Sequence, residues 1–194
     1  MLLERTFDFV WGDNMIISRC QDFLKRKERV EYFWKLRNGI QNSGGGGGGY
    51  YILKYRYKKL MRSFNADIPT DTSIAGIPTF PHGLNGIFIS AGAKIGEHCT
   101  IFHQVTIGSN TLKDSKNPGS PIIGDDVFIG AGAKIIGGIT VGNHVRIGAN
   151  CVVTKNIPDN TTVVLQAPRI ILYEEKRTNT FVSFGEFHKT DLQN

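Results

Sequence analysis

Cysteine is scarce in this 194-residue chain: Cys20, Cys99 and Cys151 are the whole set, an odd number that excludes a self-contained disulfide framework. Apolar runs of membrane-spanning length are missing and no secretory leader pattern is present, so the expected location is cytoplasmic. Segregated charge is missing too. The net charge of +6 comes from 23 Lys and Arg mixed among 17 Asp and Glu, which suits a solvated surface or a patch for a phosphorylated cofactor, and no nucleic-acid partner is expected. Over the second half of the chain the periods of ordinary secondary structure are also absent, both the 3.6 of a helix and the 2 of an alternating strand.

A period of six replaces them. An aliphatic residue recurs at Ile89, Ile95, Ile101 and Ile107, pauses, and resumes at Ile123, Ile129, Ile135, Val141, Ile147 and Val153. Four residues after each comes a smaller or branched side chain: Ala93, Cys99, Val105 and Thr111, then Val127, Ala133, Ile139, Val145, Cys151 and Ile157. Such hexads predict a mainly β fold, a parallel β-helix in which each hexad gives one short strand and one turn, and three hexads close a triangular coil. Both aliphatic positions should point inward, making Cys99 and Cys151 buried, reduced thiols.

The remainder divides around this solenoid. Residues 1–65 read as a helical segment, with apolar stripes at Ile16, Ile17, Cys20, Phe23 and Leu24 and at Val30, Phe33, Trp34 and Leu36. A glycine-rich stretch at 43–49 reads as a flexible loop, because an uninterrupted glycine run loses too much backbone entropy to hold regular structure. Tyr50 to Phe64 is a basic amphipathic helix, with Leu53, Tyr57, Leu60, Met61 and Phe64 on one side. It predicts packing against the first coil or a neighbouring subunit, with contact at a membrane surface as the other use of such a helix. The β-helix is placed at 66–172, and 173–194 reads as a polar tail with one strand around Phe181 to Phe184. The pause in the rhythm, 109–121, predicts a loop extruded at a turn, and loops on rigid scaffolds commonly carry function.

With the hexads, this loop and the phrase Ile129-Gly130-Ala131-Gly132-Ala133-Lys134-Ile135 in view, residues 65–172 resemble the hexapeptide-repeat acyltransferases. The resemblance is to the serine acetyltransferase branch and its relatives in surface-polysaccharide gene sets. It implies a left-handed β-helix, a homotrimer, and acetyl-CoA bound in the groove between adjacent subunits, so that each active site needs two chains. It implies a general base at His82, in Pro81-His82-Gly83-Leu84-Asn85-Gly86-Ile87, since imidazole exchanges protons near neutrality. It also implies an orienting carboxylate fifteen residues earlier, at Asp67. For the cofactor it implies Ala131, Ala149, Thr154, Lys155 and Arg169: small residues that open the backbone to the pantetheine arm and cations for the nucleotide phosphates. No metal is expected.

The chain departs from serine acetyltransferases where they hold their amino acid. Pro81 replaces the aspartate before the histidine, and Gly119-Ser120-Pro121 replaces an Arg-His-Pro step. Without a charged clamp a zwitterion would be desolvated uncompensated, so the expected acceptor is a neutral sugar hydroxyl of a surface or capsular polysaccharide. The alternative is serine O-acetylation in cysteine biosynthesis. Two further readings are a zinc site resembling that of γ-class carbonic anhydrases, built on His98 and His103, and a non-catalytic trimeric scaffold. His144 has no partner in sequence and reads as a surface residue.

Overall fold

Residues 5–177 and residue 179 are described by the computed structural model. Helix α1 (Arg5–Asn42) is one continuous element and α2 (Gly48–Ser63) folds back against it. Phe33, Leu36 and Ile40, spaced three and four apart, share one buried stripe and meet Tyr57, Leu60 and Met61, the inward face expected of α2. Of the earlier stripe, Leu24 is instead exposed; the side chains of Ile16, Ile17, Cys20 and Phe23 lie outside the described residues, as does the strand expected at Phe181 to Phe184. The glycine run is no loose loop through residue 49. Gly44, Gly45 and Gly47 take φ of +65°, +80° and +89° to reverse the chain, and Gly48 and Gly49 already belong to α2.

The hairpin caps the open end of the solenoid. Arg37 donates to the carbonyls of Pro69 (3.0 Å) and Thr72, Gln41 to that of Thr70 (2.7 Å), and the buried Tyr57 hydroxyl to that of Ile68. Phe64, Ile68, Leu84 and Ile87 continue the apolar interior from the hairpin into the first coil. A repeat stack needs such a cap, since its terminal coil would otherwise show a raw apolar end to water.

Among the described residues, twelve short strands then build three parallel four-stranded sheets. The front face is β2 (Phe88–Ile89), β5 (Thr106–Gly108), β8 (Lys134–Ile136) and β11 (Val152–Val153). A second holds β1 (Ser73–Ile74), β3 (Lys94–Ile95), β6 (Ile122–Ile123) and β9 (Thr140–Val141), and the third β4 (Thr100–Ile101), β7 (Phe128–Ile129), β10 (Arg146–Ile147) and β12 (Thr162–Val163). Registers such as Ile89↔Ile107↔Ile135↔Val153 stack the large aliphatics in columns, and every one from Ile89 to Val153 is buried. The smaller partners are buried from Ala93 to Cys151, with Ile157 half-buried. Thr111 is the exception: it is exposed, because the chain has already left the coil for the loop.

Corners are cut by residues in left-handed conformation. His98, Gln104, Asp126, His144 and Asn150, with φ between 54° and 59°, each directly precede a small inward side chain. Side-chain oxygens tie one edge: Asp125 Oδ1 accepts from Glu97 N (2.7 Å), Asn143 Oδ1 from Asp125 N and Asp159 Oδ1 from Asn143 N (both 2.8 Å). No helix among the described residues is long and apolar enough to cross a membrane.

Candidate functional site

Two edges border the front face. The turns entering it, at 81–86, 102–104, 130–132 and 148–150, stack one below another and carry His82, His103, Ala131 and Ala149 respectively. Backbone bonds fix this stack: Gln104 N to Asn85 O (2.9 Å), Gly132 N to His103 O (3.0 Å) and Asn150 N to Ala131 O (2.8 Å). Gly132, with φ +70°, has no room for a side chain, since a Cβ would sit 2.2 Å from Asn150 Oδ1. The edge is therefore narrow and largely free of bulky groups below the two histidines.

At its head the imidazoles meet. His82 Nδ1 lies 2.8 Å from His103 Nδ1, with ring centroids 4.7 Å apart. Phe102 packs edge-on to His82 at 5.3 Å and 81°, and Asn85 Nδ2 donates to the His82 carbonyl at 2.8 Å. His82 is exposed and His103 half-buried. The fifteen-residue offset brings Asp67 to the top of the front face, where it pairs in parallel with Phe88, but no side-chain hydrogen bond joins it to His82 among the described residues. Asp67 instead lines a cavity of about 350 Å³ beside α2, with Lys54, Tyr57, Lys58, Met61 and Arg62. Burial pushes the Tyr57 phenol far above its ordinary range, with Arg37 opposing the shift, and the same burial lowers the Arg37 guanidinium.

Of the remaining expected site residues, Thr154 and Lys155 lie on the other edge, just after β11. The loop leaves at Ser109 and returns by Pro121; Asn110 and Gly119 close its neck with reciprocal backbone bonds of 2.8 Å, and Ser109 Oγ meets Ser120 Oγ at 2.6 Å. Its returning half lies along the solenoid edge, while residues 111–114 are exposed. Gly138 N donates to Asn117 O (3.0 Å), and Asn117 Nδ2 reaches Thr154 O (3.2 Å). Loop tip, Thr154 and Lys155 are thus neighbours, across the front face from Ala131 and Ala149. Arg169 is exposed in the segment beyond β12.

Among the described residues, His98 and His144 stand on turns away from this site. His98 and His103 flank β4 and stand on different edges, so one chain does not bring them together. The 2.8 Å between the His82 and His103 nitrogens is shorter than the roughly 3.3 Å that two nitrogens keep around a tetrahedral zinc. No group of three or more metal-ligating side chains occurs among the described residues. His144 does have a partner: its Nδ1 lies 3.0 Å from Asp126 Oδ2, one coil above. Sequence reasoning missed the His82–His103 contact, although their spacing of twenty-one positions, one coil plus the wide turn at 81–86, carried the signal.

Residues 120–155 match the bacterial transferase hexapeptide family of six repeats. Among solved structures, serine acetyltransferase isoform 3 of Entamoeba histolytica in complex with cysteine is 27% identical, covering 80% of this chain and 63% of its own, with a TM-score of 0.52. This chain carries a serine acetyltransferase-like left-handed β-helix. Soybean serine acetyltransferase complexed with serine is similar at 31% identity, covering 64% of this chain and 50% of its own (TM-score 0.52). A serine acetyltransferase in complex with CoA is 27% identical over 69% of this chain and 52% of its own (TM-score 0.55). The chain thus spans less than two thirds of the length of these serine acetyltransferases. No curated protein sequence matches it.

Proposed function

We propose that this chain is an acetyl-CoA-dependent O-acetyltransferase in which His82 is the general base. The observation that carries the reading is the alignment of the His82–His103 pair with Ala131 and Ala149 on one narrow edge of a serine acetyltransferase-like solenoid. His82 Nε2 takes the proton of an acceptor hydroxyl as its oxygen attacks the thioester carbonyl. The tetrahedral oxyanion collapses, the C–S bond breaks, and the leaving CoA thiolate takes the proton back from His82 Nε2, giving the acetyl ester, CoA-SH and a neutral imidazole. Ala131 and Ala149 border the pantetheine arm, and Thr154, Lys155 and Arg169 meet the nucleotide end. Asp67 contributes a negative charge on the adjoining face rather than a hydrogen bond to the base.

A homotrimer completes the reading. One chain alone leaves Val164 (71%), Ile170 (81%) and Leu172 (91%) exposed beyond the last coil, and Phe88 and Val152 outward on the front face. Apolar surface of this kind is ordinarily buried in assembly. Its burial against a neighbouring chain would also bring Arg169 to a groove between subunits.

Two acceptors compete. The comparisons favour serine, since the similar solved proteins are serine acetyltransferases, one of them complexed with serine. Pro81 and Ser120 favour instead a neutral sugar hydroxyl, because neither supplies a charge for an ammonium or a carboxylate. Acetyl transfer measured against serine, free sugars, nucleotide sugars and lipid-linked glycans decides: a preference for serine assigns the chain to cysteine synthesis, a preference for glycans to polysaccharide modification. Acetyl-CoA turnover with none of them would refute the acceptor class.

A further inference from the structure

We infer that His103 is the positioning residue for His82, accepting a hydrogen bond from His82 Nδ1–H and so holding the proton-accepting lone pair on His82 Nε2. The inference rests on His82 being the base.

A single proton lies on the line between the two Nδ1 atoms. At 2.8 Å this is a hydrogen bond, and a neutral imidazole carries one N–H, so one ring must be protonated at Nδ1 and the other bare there. The two arrangements have opposite consequences. If His103 donates, His82 keeps its proton on Nε2 and can offer only an N–H to an acceptor hydroxyl. If His82 donates, Nε2 is bare and can take the hydroxyl proton. A base at His82 therefore requires His103 to be the acceptor, the part that a carboxylate plays in a Ser-His-Asp arrangement.

The setting of His103 suits a fixed partner. It is half-buried while His82 is exposed, and its carbonyl receives Gly132 N–H. The residue after it, Gln104, is locked at φ 59° and bonded to Asn85 in the turn that carries His82. Phe102 closes the side of the His82 ring edge-on, so that ring is held on two sides by consecutive residues of one turn. Asp67 makes no competing hydrogen bond to the imidazole. After proton transfer the cation on His82 still donates through Nδ1 to a neutral His103, so the bond survives the step it prepares.

The experiment reads tautomers and rates separately. Long-range proton–nitrogen correlation spectra of the ¹⁵N-histidine-labelled full chain should show His82 protonated at Nδ1 with Nε2 bare, and His103 the reverse, with His82→Ala and His103→Leu giving the assignments. The opposite pattern, or two independent rings, overturns the proposal. In steady-state assays His103→Leu should lower kcat roughly 10²-fold with KM for acetyl-CoA unchanged. His103→Asn, whose side-chain oxygen can accept the same bond, should recover most of that loss. Melting curves for both variants separate this from unfolding. Full activity in His103→Leu, or no recovery by Asn in a folded protein, defeats the positioning role while leaving the acetyltransferase reading intact. Full activity in His82→Ala defeats the underlying reading instead.

Discussion

Gln104 N–H and Asn85 C=O meet at 2.9 Å, and this bond fixes the distance between the turns that carry His103 and His82. Gly86 makes the approach feasible. Its φ is +66°, and a Cβ there would lie 3.2 Å from Gln104 Cγ and 3.4 Å from Gln104 Cα. Gly86→Ala should cost about 1–2 kcal/mol from the left-handed backbone. It should also lower kcat by more than that loss of stability explains, because the turns are pushed apart. Thermal melts and kcat on the same preparation check both parts.

His82→Ala should lower kcat by roughly 10²–10⁴-fold while the protein melts as the parent does, since the side chain is exposed and general acid–base catalysis contributes about that much. KM for acetyl-CoA should stay near the parent value. Lys155→Ala and Arg169→Ala should do the converse, raising KM for acetyl-CoA with little change in kcat. Initial rates over an acetyl-CoA series separate the two patterns.

The solenoid is legible because each hexad repeats one local rule, and runs of four and then six aliphatic positions at a strict period of six leave little freedom for another fold. The end of the rule is legible at Gly108 and its resumption at Ile123, but the frame predicts an interior Thr111 because it cannot say how far a chain has already turned outward. Contacts between turns were harder. Asp67 and His82 are one near-coil apart in sequence, which places them close along the solenoid without saying which way each side chain turns. His103, in a regular turn one coil below, needed the wide turn at 81–86 to be resolved before its Nδ1 could be matched to that of His82. The glycine run misled for a related reason: composition reports the entropy a segment would lose, and the packing of Leu53, half-buried with a methyl 3.3 Å from the Cβ position of Gly39, helps offset it.

Core columns should be unforgiving. Ile129 has no exposed surface and sits between Ile101 and Ile147 on successive coils. Ile129→Ala should cost about 2–5 kcal/mol, the range for emptying a packed aliphatic site, because the rigid coils above and below cannot collapse into the void. Chemical denaturation of the variant measures it.

Tyr57 should give stability an alkaline limb. Burial holds its phenol above the ordinary value of 10.0, so the folded state binds the proton more tightly than the unfolded state does. That stabilisation is complete below pH 10 and is lost progressively as pH rises above it, because the unfolded chain then releases a proton the folded one keeps. Tyr57→Phe should remove this limb. It should also cost about 1 kcal/mol at neutral pH through the lost bond to the Ile68 carbonyl. Denaturation midpoints of both proteins from pH 7 to 11 test the sign: a wild-type curve that fell no faster than the variant's above pH 10 would contradict it.

Asp67→Asn distinguishes a bonded carboxylate from a nearby one. Removing the charge from a carboxylate that orients a catalytic imidazole costs roughly 10⁴-fold in kcat. Here the His82 Nδ1 is already bonded to His103, and Asp67 lies on the adjoining face beside Tyr57 and Lys58. The expected loss is therefore no more than about tenfold, the size of a partly screened charge acting across a few ångströms without a hydrogen bond. The loss should not combine with that of His103→Leu beyond the product of the two separate effects, because the two residues act on different groups. The double variant measured beside both single ones gives the coupling directly. A loss of several thousandfold in Asp67→Asn alone would mean that the imidazole turns from His103 to Asp67 when substrates bind.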